Sequence, residues 1–368
     1  MLKFLHLGDL HLCSPLSILQ ARLAAEWREA QFAALEEMLA QAASRGAQMI
    51  LMAGDVFDTP CPDKGGVDRF FSVVASQPLP VVVAPGNHDY WQRGGVWDRA
   101  DRPMQLHVFE SNSLSCFDLP SLQAAVYGYA FTGEGMDAPA LGTAEDLLPD
   151  RTAILLAHGD MTSPLSPYAP ISGAQLERAG FAYAALGHIH NPLAQRRFGK
   201  TLAAYSGFFA GCGFDELGRG GALLVTVDGA RVETERLYAC ARCFEEAELD
   251  CTGALSAEEI RARLRVLLEG GRYATKNALR VRLTGEVGLA CRCEPAALNA
   301  LGAAFALFEV KDETVPIFDA AYLEKDPTLR GAFYRALLPQ LTGEDAEARA
   351  VAAEALRLGF AALSGREV

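Results

Sequence analysis

The chain has no apolar run approaching the roughly 20 residues that a bilayer-spanning helix requires, so nothing in it suggests passage through a membrane. The N-terminal stretch "MLKFLHLGDLHL" is apolar, but Asp9 and His11 interrupt it and no small-residue cleavage site follows. It reads as a buried first strand and not as a signal peptide. A surplus of positive charge is also missing. The formal net charge is −13, from 33 Lys and Arg against 46 Asp and Glu. Residues 1–240 hold 17 of those basic and 26 of those acidic side chains, so the acidic balance extends over both parts of the chain. Neither part has the overall charge of a polyanion binder, which weighs against DNA as a substrate.

Cysteines are few for a disulfide scaffold. The nine are odd in number and scattered, which fits reduced thiols in a cytoplasmic protein. Two local pairs stand out, Cys240-Ala-Arg-Cys243 and Cys291-Arg-Cys293. A structural zinc would take four ligands, and these pairs lie far apart with no histidine near either, so the spacing argues against it.

What is present is an ordinary globular composition, 50% hydrophobic and 21% charged over 368 residues, long enough for two or three domains. In the first 200 residues short apolar strands alternate with helical stretches. "LKFLHLGD", "QMILMAGD", "PVVVAPGN", "TAILLAHGD" and "FAYAALGH" read as strands. "SILQARLAAEWREAQFAALEEMLAQAASRG" reads as a long helix stopped near Gly46, and "VDRFFSVVASQ" as a shorter one. Strands apolar on both faces and separated by helices argue for α/β layering with the sheet covered on both sides. Residues 105–130 and 198–240 alternate in short steps and read as added antiparallel strands, with a hairpin at Asp228-Gly229. A change of texture between Tyr238 and Glu248 divides the chain into 1–242 and a smaller α/β domain, 243–368, that ends in a helical tail.

The seven histidines are few enough that their placement is informative. Five blocks, "GDLH", "GDVFD", "GNHD", "AHGD" and "GHIH", stand at or just beyond the ends of apolar strands. Ligand sites of open α/β sheets form in that place. Asp-x-His and His-x-His spacings project two ligands to one side, because side chains in a strand alternate with period two. Each block taken singly is explained equally well as a capped polar turn. Five in succession supply the carboxylates, amide carbonyl and imidazoles that two divalent ions about 4 Å apart require. Such a mixture suits Mn, Fe or Zn better than a thiolate site would. His6 lies three residues before Asp9, so the period of two turns it toward the core.

The order D-x-H, GD, GNHD, H and GH-x-H resembles the calcineurin-like metallophosphoesterase superfamily. That resemblance implies a four-layer fold, a two-sheet β-sandwich flanked by helices, and a two-metal centre that hydrolyses phosphoesters. It implies one metal on Asp9, His11, Asp55 and His190 and a second on Asp55, Asn87, His158 and His188, with Asp55 bridging. His88 would face the substrate as a catalytic imidazole, and Asp58 would be its dyad partner, the competing role for Asp58 being a helix or turn cap. Asp89 and Asp160 would stand behind the ligands.

"FLHLGDLHL", "LMAGDVFDTP", "VVVAPGNHDYW", "YAALGHIH" and "YSGFFAGCGFDELGRGGALLVTVDG" are similar to the SbcD/YhaO-like DNA-repair exonuclease branch. This implies a Mn-dependent DNA exonuclease or endonuclease, a C-terminal capping domain, and an SMC-like coiled-coil ATPase as partner. The alternatives are a small-molecule phosphoesterase (cyclic nucleotide or monoester) on the same site and a non-catalytic scaffold. A homodimer stays open. Asp58 departs from archaeal and eukaryotic relatives, which carry histidine there. The local basic groups that would meet DNA are Arg93, Arg99 and Arg102 after "GNHDYW", and Arg196, Arg197 and Lys200 after "GHIH". Trp91 and Trp97 would stack on unpaired bases. The competing reading of these arginines is a solvated face balanced by acids.

Overall fold

Apolar runs too short for helices become strands: β1 (Leu2–Leu7), buried except at Lys3, and the fully buried β2 (Met49–Met52) and β3 (Val81–Val83). Between β1 and β2 lies α1 (Ala21–Ser44), and between β2 and β3 lies α2 (Lys64–Ala75), N-capped by Asp63. After α1 comes Gly46 at φ +84°, a left-handed position that fits its expected role as the helix stop. The computed structural model describes residues 1–191, 195–288, 291, 295–316 and 320–363. Within it the chain divides into two compact units, Met1–Cys243 and Phe244–Val368.

The first unit continues with β4 (Leu106–Val108), β5 (Ser115–Leu119), β6 (Ala124–Gly128), β7 (Thr152–His158), α3 (Gly173–Ala179), β8 (Tyr183–Gly187), β9 (Arg196–Phe198), β10 (Thr201–Tyr205), β11 (Gly221–Asp228) and β12 (Arg231–Tyr238). One six-stranded sheet has the order β12-β11-β1-β2-β3-β4 and the other β5-β6-β7-β8-β10-β9. Phe4, Met49, Leu51 and Val82 of the first sheet meet Val126, Ile154, Leu156 and Tyr183 of the second in one continuous core. The outer face of the first sheet is covered by Phe32, Leu35 and Leu39 of α1 and Phe70 and Val74 of α2. Leu176 and Ala179 of α3 pack on Leu155 and Ala184 of the second. The result is the four-layer helix–sheet–sheet–helix arrangement expected of the resemblance.

The hairpin at Asp228-Gly229 forms, with β11 and β12 antiparallel from Asp228↔Arg231 onward. Two other expectations change. β4 joins β3 in parallel and β10 joins β8 in parallel, although both lie in stretches that read as antiparallel. The connections before them, 84–105 and 188–200, are long enough for a crossover, which a parallel pair needs and a tight hairpin cannot give.

The second unit opens on β13 (Phe244–Asp250), within the stretch that the sequence suggested as a boundary. Its strand character is hidden because Glu245, Glu246 and Glu248 leave only Ala247 and Leu249 to mark one apolar side, with Phe244 on the other. It forms a parallel sheet with β14 (Ala278–Thr284) and β15 (Leu307–Asp312), in the order β13-β14-β15, and α4 (Ala257–Glu269) lies between β13 and β14 in the chain. Ala247, Val281, Leu283 and Val310 form its core with Ile260 and Leu264 of α4. Arg280 and Arg282 are held in a ladder by Glu246, Glu309 and Glu313. Helices at 320–325, 329–341 and 346–363 follow, with Tyr334, Leu356 and Phe360 buried among them. The eight cysteines among the described residues are free thiols, and no cysteine joins a ligand-competent group there. Cys293 lies outside the described residues. No described helix is long and apolar enough to cross a membrane.

Candidate metal centre

The five polar blocks occupy the loops that leave the carboxyl ends of β1, β2, β3, β7 and β8, so the two sheets bring their ligands to one rim. The approach is close. A Cβ on Gly187, which ends β8, would fall 1.9 Å from the carbonyl oxygen of Ala53, just after β2. The backbone is also strained there. Asp9, His11, Asp55 and His188 have φ values of 50°, 45°, 49° and 103°, a region that costs a non-glycine residue about 1–3 kcal/mol unless its surroundings enforce it. The enforcement is visible in the hydrogen bonds. Asp9 and Leu10 donate their N–H groups to the carbonyls of Gly54 and Asp55, tying the first loop to the second.

Asp89 makes the third tie. It is fully buried, and its two carboxylate oxygens accept four backbone N–H groups, from Asp55 (3.2 Å), Val56 (2.9 Å), Phe57 (3.2 Å) and Gly86 (2.8 Å). Burial and the charge of Asp55 push its carboxyl up to about 7, against the pull of these amides toward the ionised acceptor. Asp160 instead turns back on Thr162, accepting from its N–H and hydroxyl, so its role is to shape the loop after β7.

The remaining side chains converge. Asp9, His11 and His190 offer ligand atoms within 4.8 Å of one another, and so do Asp9, Asp55 and His158. Asp55 Oδ1 accepts the His88 N–H at 2.9 Å, which turns Oδ2 inward. That atom lies 3.3 Å from His158 Nε2 and 3.8 Å from His11 Nε2, between the two expected ligand sets. Asn87 Oδ1 is 2.9 Å from His158 Nε2. The His188 ring stands edge-on to that of His158, with centroids 5.2 Å apart, and Tyr168 lies on its other side at 4.9 Å. Asp9, His11, Asp55, His158 and His190 thus offer ligand atoms close together, Asn87 joins them through His158, and His188 stands beside them by its ring contact with His158.

The donor set fits two cations. Asp9 Oδ1 takes the His188 N–H at 2.9 Å, but Asp9 Oδ2 is buried with no hydrogen-bond partner. An orphaned carboxylate oxygen in a protein interior is costly. His11 Nε2 and His190 Nε2 face each other at 3.2 Å, a contact that needs a proton or a cation between them. Burial lowers the proton affinity of His11 and His158, yet Asp58 and Asp55 beside the first and Asp55 beside the second raise both to about 9. Burial and the neighbouring His158 take His188 the other way, down to about 4. The carboxylates thus favour positive charge at His11 and His158, while His188 is held neutral beside them.

The Asp58 carboxylate, expected to pair with His88, hydrogen-bonds His11 instead. Its Oδ1 accepts from His11 Nδ1 at 2.9 Å and lies 3.7 Å from His88 Nδ1, so its nearer imidazole is His11. The His88 side chain is 46% exposed, at the mouth of the cluster. Glu216 carried no sequence signal, being 26 residues beyond His190 in a glycine-rich loop, yet its buried carboxylate bonds His190 Nδ1. His6 is buried in the core as its period predicted, between the Tyr183 hydroxyl (3.0 Å) and the Leu186 carbonyl (3.2 Å).

The expected nucleic-acid contacts divide. Trp97 is wholly buried and donates to the Asp89 carbonyl, so it cannot stack on a base; its aromatic neighbours Phe57 and Phe70 made it core. Trp91 is half-buried against both faces of the first sheet. Arg99 is taken up by Asp68 and Asp101, and Arg102 by Glu110. Arg93, Arg196 and Arg197 are exposed without a carboxylate partner among the described residues; Arg196 lies over the Phe198 ring and Arg197 bonds the Lys200 carbonyl. None of the three is hydrogen-bonded or ion-paired to the cluster.

Comparison with known sequences agrees with this geometry. The chain is 28% identical over 270 residues to a protein of Bacillus subtilis (strain 168) named "Uncharacterized metallophosphoesterase YhaO", a match covering 69% of this chain and 64% of the relative. The chain thus spans less than two thirds of that relative's length. The sequence pattern of the calcineurin-like phosphoesterases matches residues 2–192, a span from β1 to just past His190 that takes in every expected ligand, and the chain belongs to the calcineurin-like phosphoesterase family.

Proposed function

We propose that this protein is a dimetal phosphodiesterase acting on DNA, a Mn-dependent nuclease of the repair type that works with an SMC-like coiled-coil ATPase. The observation carrying the dimetal part is the inward oxygen of Asp55, placed between His11 and His158, beside the orphaned oxygen of Asp9. One metal would be held by Asp9, His11, Asp55 and His190, the other by Asp55, Asn87, His158 and His188. Two such ions, when bound, neutralise phosphoryl oxygens and acidify a water enough for it to attack phosphorus near neutral pH.

The chain's own residues do the rest. Asp55 keeps His88 in place by accepting its N–H. The His88 ring turns Nδ1 toward Asp58, whose carbonyl is at 3.4 Å and can only accept, so Nδ1 carries a hydrogen and Nε2 would have a proton for the departing oxygen when the ring is the imidazolium. General-acid help of that kind is worth roughly 10²–10⁴ in rate. The exposure of His88 supports a large substrate lying across the rim, and Arg93, Arg196 and Arg197, exposed and without a carboxylate partner among the described residues, are the cations that would meet its backbone.

The test is cleavage of end-labelled duplex and single-stranded DNA with Mn²⁺, run beside a nitrophenyl phosphodiester and cyclic nucleotides on one preparation. The DNA reading expects DNA cleavage. Turnover of the small esters with intact DNA would overturn it in favour of a small-molecule phosphoesterase. His88→Ala should lower the rate by about 10²–10⁴ with both metals retained; an unchanged rate would exclude His88 as the general acid, and no turnover of any of these substrates by the metal-loaded wild type would point to a scaffold.

A further inference from the structure

We propose that Glu216 is a positioning residue for His190, fixing the tautomer that leaves Nε2 free to bind metal. The inference rests on the dimetal reading above and adds to it a residue outside the motif blocks. The His190 side chain is 36% exposed and packs by its ring against His11, so a hydrogen bond is needed to fix which nitrogen carries the hydrogen. An ionised carboxylate only accepts hydrogen bonds. With Glu216 Oε1 against Nδ1, that nitrogen must carry the hydrogen, and the lone pair falls on Nε2. Nε2 lies 3.9 Å from Asp9 Oδ1 and 3.2 Å from His11 Nε2, facing the centre. His11 and His158 follow the same plan. Their Nδ1 atoms are engaged by Asp58 at 2.9 Å and by the Ala53 carbonyl at 3.0 Å, and their Nε2 atoms point inward.

Glu216 is itself held. It is 5% exposed, and its second oxygen accepts the Cys212 N–H at 2.7 Å. The loop carrying it is fastened to α1, where Trp27 Nε1 donates to the Gly211 carbonyl (3.2 Å) and Gln31 Nε2 to the Ala210 carbonyl (3.4 Å). The same loop reaches the ligands through its backbone, from Phe208 to the His190 carbonyl and from Phe209 to the Asp9 carbonyl. A buried anion on a braced loop against one ring nitrogen is the arrangement that orients a metal-bound histidine and raises its basicity.

The test compares wild type, Glu216→Gln and Glu216→Asp in two measurements. Histidine side-chain ¹⁵N spectra of the metal-free proteins, at a pH where the imidazoles are neutral, report the tautomer; Mn²⁺ titration by calorimetry reports binding. Wild type should show His190 with hydrogen on Nδ1. In Glu216→Gln the amide oxygen keeps the Cys212 bond and the amide N–H faces the ring, so the hydrogen moves to Nε2. One Mn²⁺ step then weakens about 10–100-fold while the other holds. Glu216→Asp, still an acceptor, recovers the tautomer. An unchanged tautomer in Glu216→Gln overturns the proposal. So does loss of both steps together with a lowered melting temperature of the metal-free protein, which would make Glu216 a residue of loop folding. Wild-type protein that takes up no Mn²⁺ would sink the dimetal reading as well; normal wild-type uptake with an unaltered Glu216→Gln would sink this proposal alone.

Discussion

Single side chains in this protein are set by how completely their polar atoms are used, and Asp89 is the extreme case. Four backbone N–H groups from two loops end on one buried carboxylate. Asp89→Asn keeps the size but turns one acceptor into a donor against amides that also donate. It should lower stability by about 2–4 kcal/mol, the cost of leaving buried N–H groups unsatisfied, and reduce metal uptake because Asp55 loses its support; denaturant titration and metal analysis check both. His6 shows the opposite economy, a buried imidazole kept neutral. Burial is the main cause of its fall to about 3, with the charge of Arg236 adding to it. An unfolded histidine takes up a proton near 6.5, so the unfolded state binds the proton more readily than the folded one. His6 therefore leaves stability intact above that value and lowers it as pH falls through 6.5 toward 3, at up to about 1.4 kcal/mol per pH unit. His6→Gln should flatten that acid-side slope in urea melts at pH 7 and pH 5; an equal slope would refute the assignment.

At the scale of elements, the strands that carry the ligands were legible because each is a run of aliphatic residues ending in glycine and a polar pair. The helices α1 and α2 were legible from their period. The sheet partners of β4 and β10 were not, since pairing direction depends on where the preceding loop travels, and that path is set by tertiary ties such as those of Asp89. β13 was masked by its glutamates. Within the site, the seven expected ligands came from the family resemblance of the motif blocks, whereas Glu216 stands outside those blocks, because a residue that acts through another needs no fixed distance along the chain. Trp97 was not legible as core, because an aromatic after a polar motif loop looks the same in sequence whether it faces base or core. Where elements meet most closely, Gly187→Ala is the sharpest probe. Its Cβ would sit 1.9 Å from the Ala53 carbonyl, so β8 must move away from β2. We expect loss of high-affinity metal binding by calorimetry, whereas Gly46→Ala, with open space around it, should cost only about 1 kcal/mol and leave binding intact.

For the molecule as a whole, the two units have separate cores, and every expected ligand belongs to the first. Differential scanning calorimetry should resolve two transitions, with Mn²⁺ raising only that of the first unit; binding at a hundred times Kd adds about 2.7 kcal/mol per site. A fragment of residues 1–243 should show the same metal-dependent rise, and a rise confined to the second unit's transition would contradict the placement. The rim itself has a mechanical meaning. Asp9, His11, Asp55 and Asn87 leave strands of one sheet, and His158, His188 and His190 leave strands of the other. Each ion expected there would take ligands from both, like a rivet through two plates. Stripping the protein with a chelator would then remove the fasteners at one end of the sandwich, so that inactivation by chelation and opening of that seam are one event, and reloading after long exposure would return less protein than was stripped.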